Sequence, residues 1–294
     1  MNIDLARTFL EVVASGNMSA AAERLHVTHS TVTVRIKNLE DILQRQLLNR
    51  SRGGVTLTAD GARFLEFAQS LVRTWQTARR HVSLATNFES VLSIGVDSTL
   101  WGGVMGDWLV TSRRDRPQIA MRCEVGSSQN LLQKLFQGWL DVCLVYETRS
   151  RIGFRTEKLF DDPLILASTV RREAQKEMDP KFVAVDYDES VRYQEVDIWG
   201  ESEATPHLSV NSLDMGIECV ARYGGTILLP KRLLSHLPFE LYPIPAQPMV
   251  ERTAYMVYSI EAFKRRYRRF SAAQLKASLQ AHFSQEYDLG MVIS

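Results

Sequence analysis

Cysteine is scarce in this chain. Cys123, Cys143 and Cys219 are three among 294 residues, odd in number, far apart and without a CxxC pair. Such usage excludes a disulfide framework and argues against a zinc site. No run of 18 uncharged apolar residues occurs, and the opening MNIDLARTFL puts Asp4 and Arg7 where a secretory signal needs an apolar stretch. The expectation is a soluble, cytoplasmic protein with no membrane partner. An excess of one charge is also missing, since 35 Lys and Arg stand against 34 Asp and Glu for a net charge of +1. Taken as a total, that number speaks against nucleic acid. Catalytic signatures are lacking too: there is no GxGxxG or Walker loop, no HExxH and no GxSxG, and the six histidines are scattered. No catalytic residue, cofactor or metal is expected.

What is present is an ordinary globular composition, 45% hydrophobic and 23% charged, over a length that suits about two domains of ~150 residues. Charge is uneven along it. Residues 29–52 hold Arg35, Lys37, Arg45, Arg50 and Arg52 against Glu40 and Asp41 alone, a local +3. A phosphate backbone responds to a patch on one face and not to the total.

The first sixty residues read as three helices and a hairpin. Leu5, Phe9, Val12 and Val13 build one apolar stripe that stops at Gly16. Ser19 reads as the N-cap of a second helix containing Ala20, Ala21, Ala22 and Glu23, with small residues that permit close approach. Thr28 reads as the N-cap of a third, in which Val32, Ile36, Leu39 and Leu43 recur at helical spacing. Leu47-Leu48, a Ser51-Arg52-Gly53-Gly54 turn, then Val55 and Leu57 predict a two-stranded wing. A helix held this way fits the major groove, whose base edges carry a donor, acceptor and methyl code. The outward residues at its start, His29, Ser30, Thr31, Thr33 and Val34, are expected to read bases. Arg35, Lys37 and Arg50 suit phosphates, and Arg52 at the wing tip suits a minor groove. A plain three-helix bundle with tolerated surface Thr and Ser is the bland alternative.

From 59 to 88 the chain reads as one long helix. Phe64, Ala68, Leu71, Trp75, Ala78 and Val82 step by four and three, which suits a coiled-coil seam. The stripe packs either on the protein's own second domain or on a second copy. A linking helix has little else nearby to bury Trp75, so self-association is expected. Beyond residue 89, short strands alternate with helices, which predicts largely parallel, twisted sheets in two α/β lobes. The first lobe takes about 91–160 and 255–294, including a long helix from about Glu261 to His282, and the second about 161–254. Chain crossing between them leaves a cleft.

FLEVVASGNMSAAAERLHVTHSTVTVRIKNLEDILQRQLLNRSRGGVTLTADG resembles the winged helix-turn-helix of LysR-type transcriptional regulators. The match runs from Ala-Ala-Glu-Arg-Leu through Thr28, Ile36, Leu39 and Glu40 to Leu57-Thr58 and Gly61. More weakly, the resemblance covers the whole chain. It implies an α/β protein with an N-terminal winged helix-turn-helix (1–58), a linker and dimerisation helix (59–88) and a two-lobed, periplasmic-binding-protein-like effector domain (89–294). The implied partners are double-stranded promoter DNA, a small-molecule effector, further copies of the chain as homodimer or tetramer, and RNA polymerase. Departures fall at the reading positions: the family most often has Gln-Pro where His29-Ser30 stand, Ser in place of Thr33, and Arg or Gln in place of Val34. Thr74-Trp75-Gln76, with Ser93-Ile94-Gly95 and Leu100-Trp101, resembles a subgroup that includes regulators of flagellar master operons.

In the family, the loops after the first two strands of the effector domain often contact the inducer. Here those loops are Asp97-Ser98-Thr99 and Gly126-Ser127-Ser128, where hydroxyls and free amides at a helix start suit an anion. Ser98, Thr99, Ser127 and Ser128 are therefore the expected effector contacts, with Tyr146, Tyr187 and Thr226 added from strand ends facing the cleft. Ordinary N-capping leaves the same letters. Redox-sensing relatives carry a reactive cysteine pair around the Asp197–His207 loop, and this chain has none there. Lys264–Arg269 reads as a solvated face. The competing functional class is a small-molecule-binding or enzymatic α/β protein whose N-terminal helices serve protein contacts.

Overall fold

Helix α1 (Ile3–Ser15) starts where the Asn2 side chain accepts from the Asp4 amide. It stops at Gly16, whose φ of 63° is a left-handed turn that glycine adopts without a Cβ clash. The computed structural model to which it belongs describes residues 2–51, 53–82, 88–174, 177–199, 205–265 and 271–290. Two compact units result, one over Met1–Asn87 with the short stretch Phe136–Leu140, the other over Phe88–Leu135 and Asp141–Ser294.

In the first unit α2 (Met18–Arg24) is capped by Asn17, whose side chain accepts from the Ser19 and Ala20 amides, and not by Ser19. The carboxamide oxygen two residues upstream already satisfies those orphan donors. Helix α3 (His29–Leu43) is capped by Thr28, as its sequence predicts, with the hydroxyl accepting from the Thr31 amide at 3.2 Å. Strands β1 (Leu48–Ser51) and β2 (Gly54–Leu57) pair antiparallel as the wing. Two bonds fix it. Glu40 Oε1 accepts from the Leu47 and Leu48 amides at 2.8 and 3.2 Å, and the Val55 amide donates to the Gly16 carbonyl at 2.8 Å. Helix α4 (Ala59–Val82) begins where the Gly61 amide donates to Thr58 Oγ1. A Cβ on Gly61 would lie 2.0 Å from the Leu47 carbonyl oxygen, so only glycine fits there. Phe9, Val12, Val32, Ile36, Leu39 and Leu47 are wholly buried between these elements, each large side chain contributing roughly 1.5–3 kcal/mol.

The second unit contains two five-stranded sheets. One has the order β4-β3-β5-β12-β6, from β3 (Ser90–Asp97), β4 (Ile119–Gly126), β5 (Val142–Val145), β6 (Phe154–Asp161) and β12 (Thr253–Ser259). The other has the order β11-β7-β10-β8-β9, from β7 (Leu164–Ser168), β8 (Phe182–Val185), β9 (Leu208–Val210), β10 (Thr226–Pro230) and β11 (Tyr242–Pro243). Both are mixed and not largely parallel. β12 runs antiparallel to β5 and β6, and β7 antiparallel to β10 and β11. The cause is the chain crossing between lobes: a strand arriving from the other lobe enters from the cleft end and must run the opposite way. The two crossovers bond to each other, Asp162 N to Arg252 O at 2.7 Å and Leu164 with Val250 in both directions at 2.9 and 3.0 Å.

Helices flank the sheets: α5 (Ser98–Leu100) leading through a π turn at Trp101–Met105 into α6 (Gly106–Asp115), α7 (Ser128–Phe136), α8 (Glu189–Trp199), α9 (Leu213–Tyr223), α10 (Ile260–Arg265) and α11 (Ala272–Gly290), with a 3₁₀ turn at Lys231–His236. The single terminal helix expected from the sequence is two elements. Ser271 starts the second by a capping box, its hydroxyl accepting from the Gln274 amide while Gln274 Oε1 accepts from the Ser271 amide.

Candidate nucleic-acid interface and interlobe cleft

Helix α3 turns Val32, Ile36 and Leu39 inward. At about 100° per residue this brings Ser30, Val34, Lys37, Asn38 and Asp41 into one outward arc, and all five are exposed, Val34 by 55%. His29 is exposed beside it. The Ser30 and Thr31 hydroxyls both bond Thr28 Oγ1, at 2.9 and 2.8 Å, so the helix opens on a small hydroxyl cluster. Thr33 sits on the flank, with its Oγ1 buried and unpartnered. Arg35 is half-buried, and its Nη1 donates to Thr8 Oγ1 at 3.3 Å, which ties it to α1. Lys37 and Arg50 are exposed, while Arg52 lies outside the described residues. Sequence reasoning passed over Asn38. Its signal was the phase of the helix, eight residues beyond Ser30 on the same face.

The apolar stripe of α4 divides in two. Phe64 stacks near Phe9 at 5.4 Å between ring centroids and Ala68 is wholly buried, so both serve the unit's own core, together with Val72. Leu71, Trp75, Ala78 and Val82 are exposed, and Phe67, absent from the expected seam, joins them at 67% exposure. The free face is thus shifted by about one helical step from the sequence pattern, because the helical phase that meets α1 takes Phe64 and Ala68.

In the second unit the strand ends expected at the cleft converge, but on charged partners. Asp97 Oδ1 accepts from Thr99 N and Oγ1 at 3.1 and 2.9 Å, and Asp97 Oδ2 accepts from Ser128 Oγ at 2.5 Å. The hydroxyls of Thr99 and Ser128 are therefore committed to a carboxylate. Ser127 Oγ caps α7 by accepting from Asn130 N at 3.4 Å, and Ser98 is half-buried at the start of α5. Tyr146 donates its hydroxyl to Asp162, and Tyr187 to the Leu228 carbonyl at 2.8 Å. Thr226 stands at the opposite end of β10 from the cleft, buried and with its hydroxyl unpartnered.

Two arginines that no local pattern announces occupy the centre. Arg232, 4% exposed, pairs through Nε with Asp162 at 3.2 Å and donates from Nη1 and Nη2 to the carbonyls of Gly102 and Thr99, at 2.6 and 2.5 Å. Arg252, 7% exposed, donates to Thr99 Oγ1 at 3.0 Å and to Asp188 at 2.8 Å. It lies 3.4 Å from the Tyr146 ring centroid, while its Nε is buried without a partner. Burial alone would favour neutral guanidines, but Asp162 beside Arg232, and Tyr146, Asp97 and Asp188 around Arg252, hold both firmly protonated. Burial, reinforced by Asp162, pushes the Tyr146 phenol well up. On the second lobe a hollow of about 340 Å³ is lined by Asp186, Asp188, Val191, Arg192 and Glu195 among others. Elsewhere in the unit, burial raises the Cys123 thiol to about 11 and the Cys143 thiol well up, which makes both poor nucleophiles.

Residues 3–62 match the bacterial regulatory helix-turn-helix proteins of the lysR family, and residues 85–284 match the LysR substrate binding domain. The HTH-type transcriptional regulator HdfR of Yersinia enterocolitica is 27% identical over 268 residues, covering 88% of this chain and 90% of its own. HdfR of Escherichia fergusonii is 27% identical over 233 residues, covering 78% and 82%. In fold the chain is similar to a full-length OxyR variant of Pseudomonas aeruginosa, with a TM-score of 0.58, 22% identity and 95% of each chain covered. A hydrogen-peroxide-bound OxyR variant of Corynebacterium glutamicum gives 0.52, 20% identity and coverage of 99% and 97%. With both domain matches in this order over most of its length, the chain belongs to the LysR family of DNA-binding transcriptional regulators.

Proposed function

We propose that this regulator reads operator DNA with the outer arc of α3, as a homodimer joined along the free face of α4 and able to pair further into tetramers. The observation that carries the reading is the arc of Ser30, Val34, Lys37 and Asn38, exposed on a helix whose opposite face is wholly buried. Val34 suits a thymine methyl, Ser30 and Asn38 suit base-edge donors and acceptors, and Lys37 and Arg50 suit phosphates. A two-fold dimer presents two such helices to half-sites spaced by whole helical turns. The protein acts by binding and not by catalysis, in the cytoplasm. Among the described residues no helix is long and apolar enough to cross a membrane.

Gel-shift titration with the DNA upstream of its own gene tests this. Lys37→Ala should weaken all sequences alike and lower the salt slope by ~1, whereas Val34→Ala and Asn38→Ala should each change preference at one base pair. Thr33→Val should leave preference unchanged, because that hydroxyl faces inward. Retained preference in both arc variants would remove α3 from base readout.

The state of the interlobe cleft sets the DNA-bound geometry in this reading, through a small anionic effector entering near Ser98, Ser127 and Arg252. What supports the anion is the pair of guanidinium groups. Any such ligand must compete with Asp162 and Asp188, which already hold them.

A further inference from the structure

The cleft differs from an empty anion site in one respect: its cations come with their counter-ions. Arg232 belongs to the second lobe, in the 3₁₀ turn after β10, yet two of its three bonds end on first-lobe carbonyls, those of Thr99 and Gly102. Its third partner, Asp162, lies in the first crossover. Arg252 lies in the second crossover and reaches both ways, to Thr99 of the first lobe and Asp188 of the second. The crossovers are bonded to each other beside these residues. Asp97, Thr99, Ser128 and Tyr146 then close the network on the first-lobe side.

We infer that Arg232 and Arg252, with Asp162 and Asp188, form an internal latch that holds the two lobes together with no small molecule bound, so that an anion entering the cleft loosens the lobes instead of drawing them shut. The second half of this inference rests on the cleft reading above. The first half stands on geometry alone. Each guanidinium is nearly fully buried and spans a lobe boundary; Asp162 is wholly buried, and Asp188 lies at the edge of the second-lobe hollow. A ligand carboxylate or phosphate that captures a guanidinium displaces Asp162 or Asp188 from it. The interlobe bonds to Thr99 and Gly102 are then free to break, which is a hinge release. The same anion therefore acts with the opposite sign from a ligand that bridges two open lobes.

Hydrogen exchange read by mass spectrometry on the ligand-free full chain tests the latch. Amides of Asp162, Leu164 and Val250 report the crossovers, and those of β3 and β5 report the first-lobe core. Arg232→Met should raise crossover exchange at least tenfold, with the β3, β5 and α3 amides unchanged. If the single variant does not fold because the buried Asp162 carboxylate loses its guanidinium, the pair Asp162→Asn with Arg232→Met removes both charges and gives the same reading. Unchanged crossover exchange overturns the latch. So does a rise spread equally over β3 and β5, which would make the network plain core. Sodium phosphate, compared with chloride at equal ionic strength, should raise crossover exchange in wild type; protection instead would overturn the loosening. Operator binding titrated on the same samples separates the two ideas, since loss of DNA binding with an intact latch sinks only the functional reading.

Discussion

Glu40 shows how much one side chain settles. It projects from the fourth turn of α3 and accepts from two consecutive amides at the start of the wing, so α3 and the wing share one carboxylate. Glu40→Ala leaves the Leu47 and Leu48 amides without that partner and should lower the stability of the N-terminal unit by about 1–3 kcal/mol. Glu40→Gln, which keeps an acceptor oxygen, should restore most of it. Urea denaturation followed by circular dichroism checks both, and equal losses in the two variants would show that charge rather than acceptance matters. Thr28 and Gly61 belong to the same class of residue: one by its cap, the other by lacking a Cβ beside the Leu47 carbonyl. Thr28 was legible in the sequence as a cap, whereas Glu40 and Gly61 stood there only as letters of a family pattern.

Among the elements, α4 carries the sharpest contrast. Phe64 and Ala68 fall on one face and join the core, while Phe67, Leu71 and Trp75 fall on another, exposed and outside that core. Leu71→Glu should therefore convert a dimer to a monomer in sedimentation velocity at micromolar concentration, with the melting of the N-terminal unit little changed. Phe64→Ala should do the reverse, costing roughly 3 kcal/mol of that unit's stability while the seam still associates. A Leu71→Glu protein that remains dimeric would place the interface elsewhere. The three N-terminal helices and the wing were legible because local period and caps decide them. Helix α8 was missed because its buried residues, Val191, Ile198 and Trp199, are too few to set a period; the signal was Asp188, which accepts from the Ser190 and Val191 amides as a cap. Strand direction was misread because it depends on the crossings between lobes. The cleft arginines were invisible for the same reason: Asp162, Arg232 and Arg252 are far apart in sequence and share no local pattern, and only the double crossing joins them.

At the scale of the molecule, the near-zero net charge conceals a division of labour. The local excess sits on residues 29–52, whereas the buried charges of the cleft are matched against each other. Connectivity divides the second unit differently. The second lobe's strands run from β7 to β11 without interruption, but the first lobe's sheet is completed only when β12 inserts between β5 and β6. A chain stopped at residue 250 should lose the first lobe to limited proteolysis while the 2–82 core survives, and equal survival of both would show that β12 is dispensable. During synthesis the same insertion imposes a wait. At about 5–20 residues per second, roughly 10–30 s separate the emergence of β3 from that of β12. Over that interval α1 to α4 and the wing have already left the ribosome, so the DNA-binding domain can form while the first lobe still waits for β12.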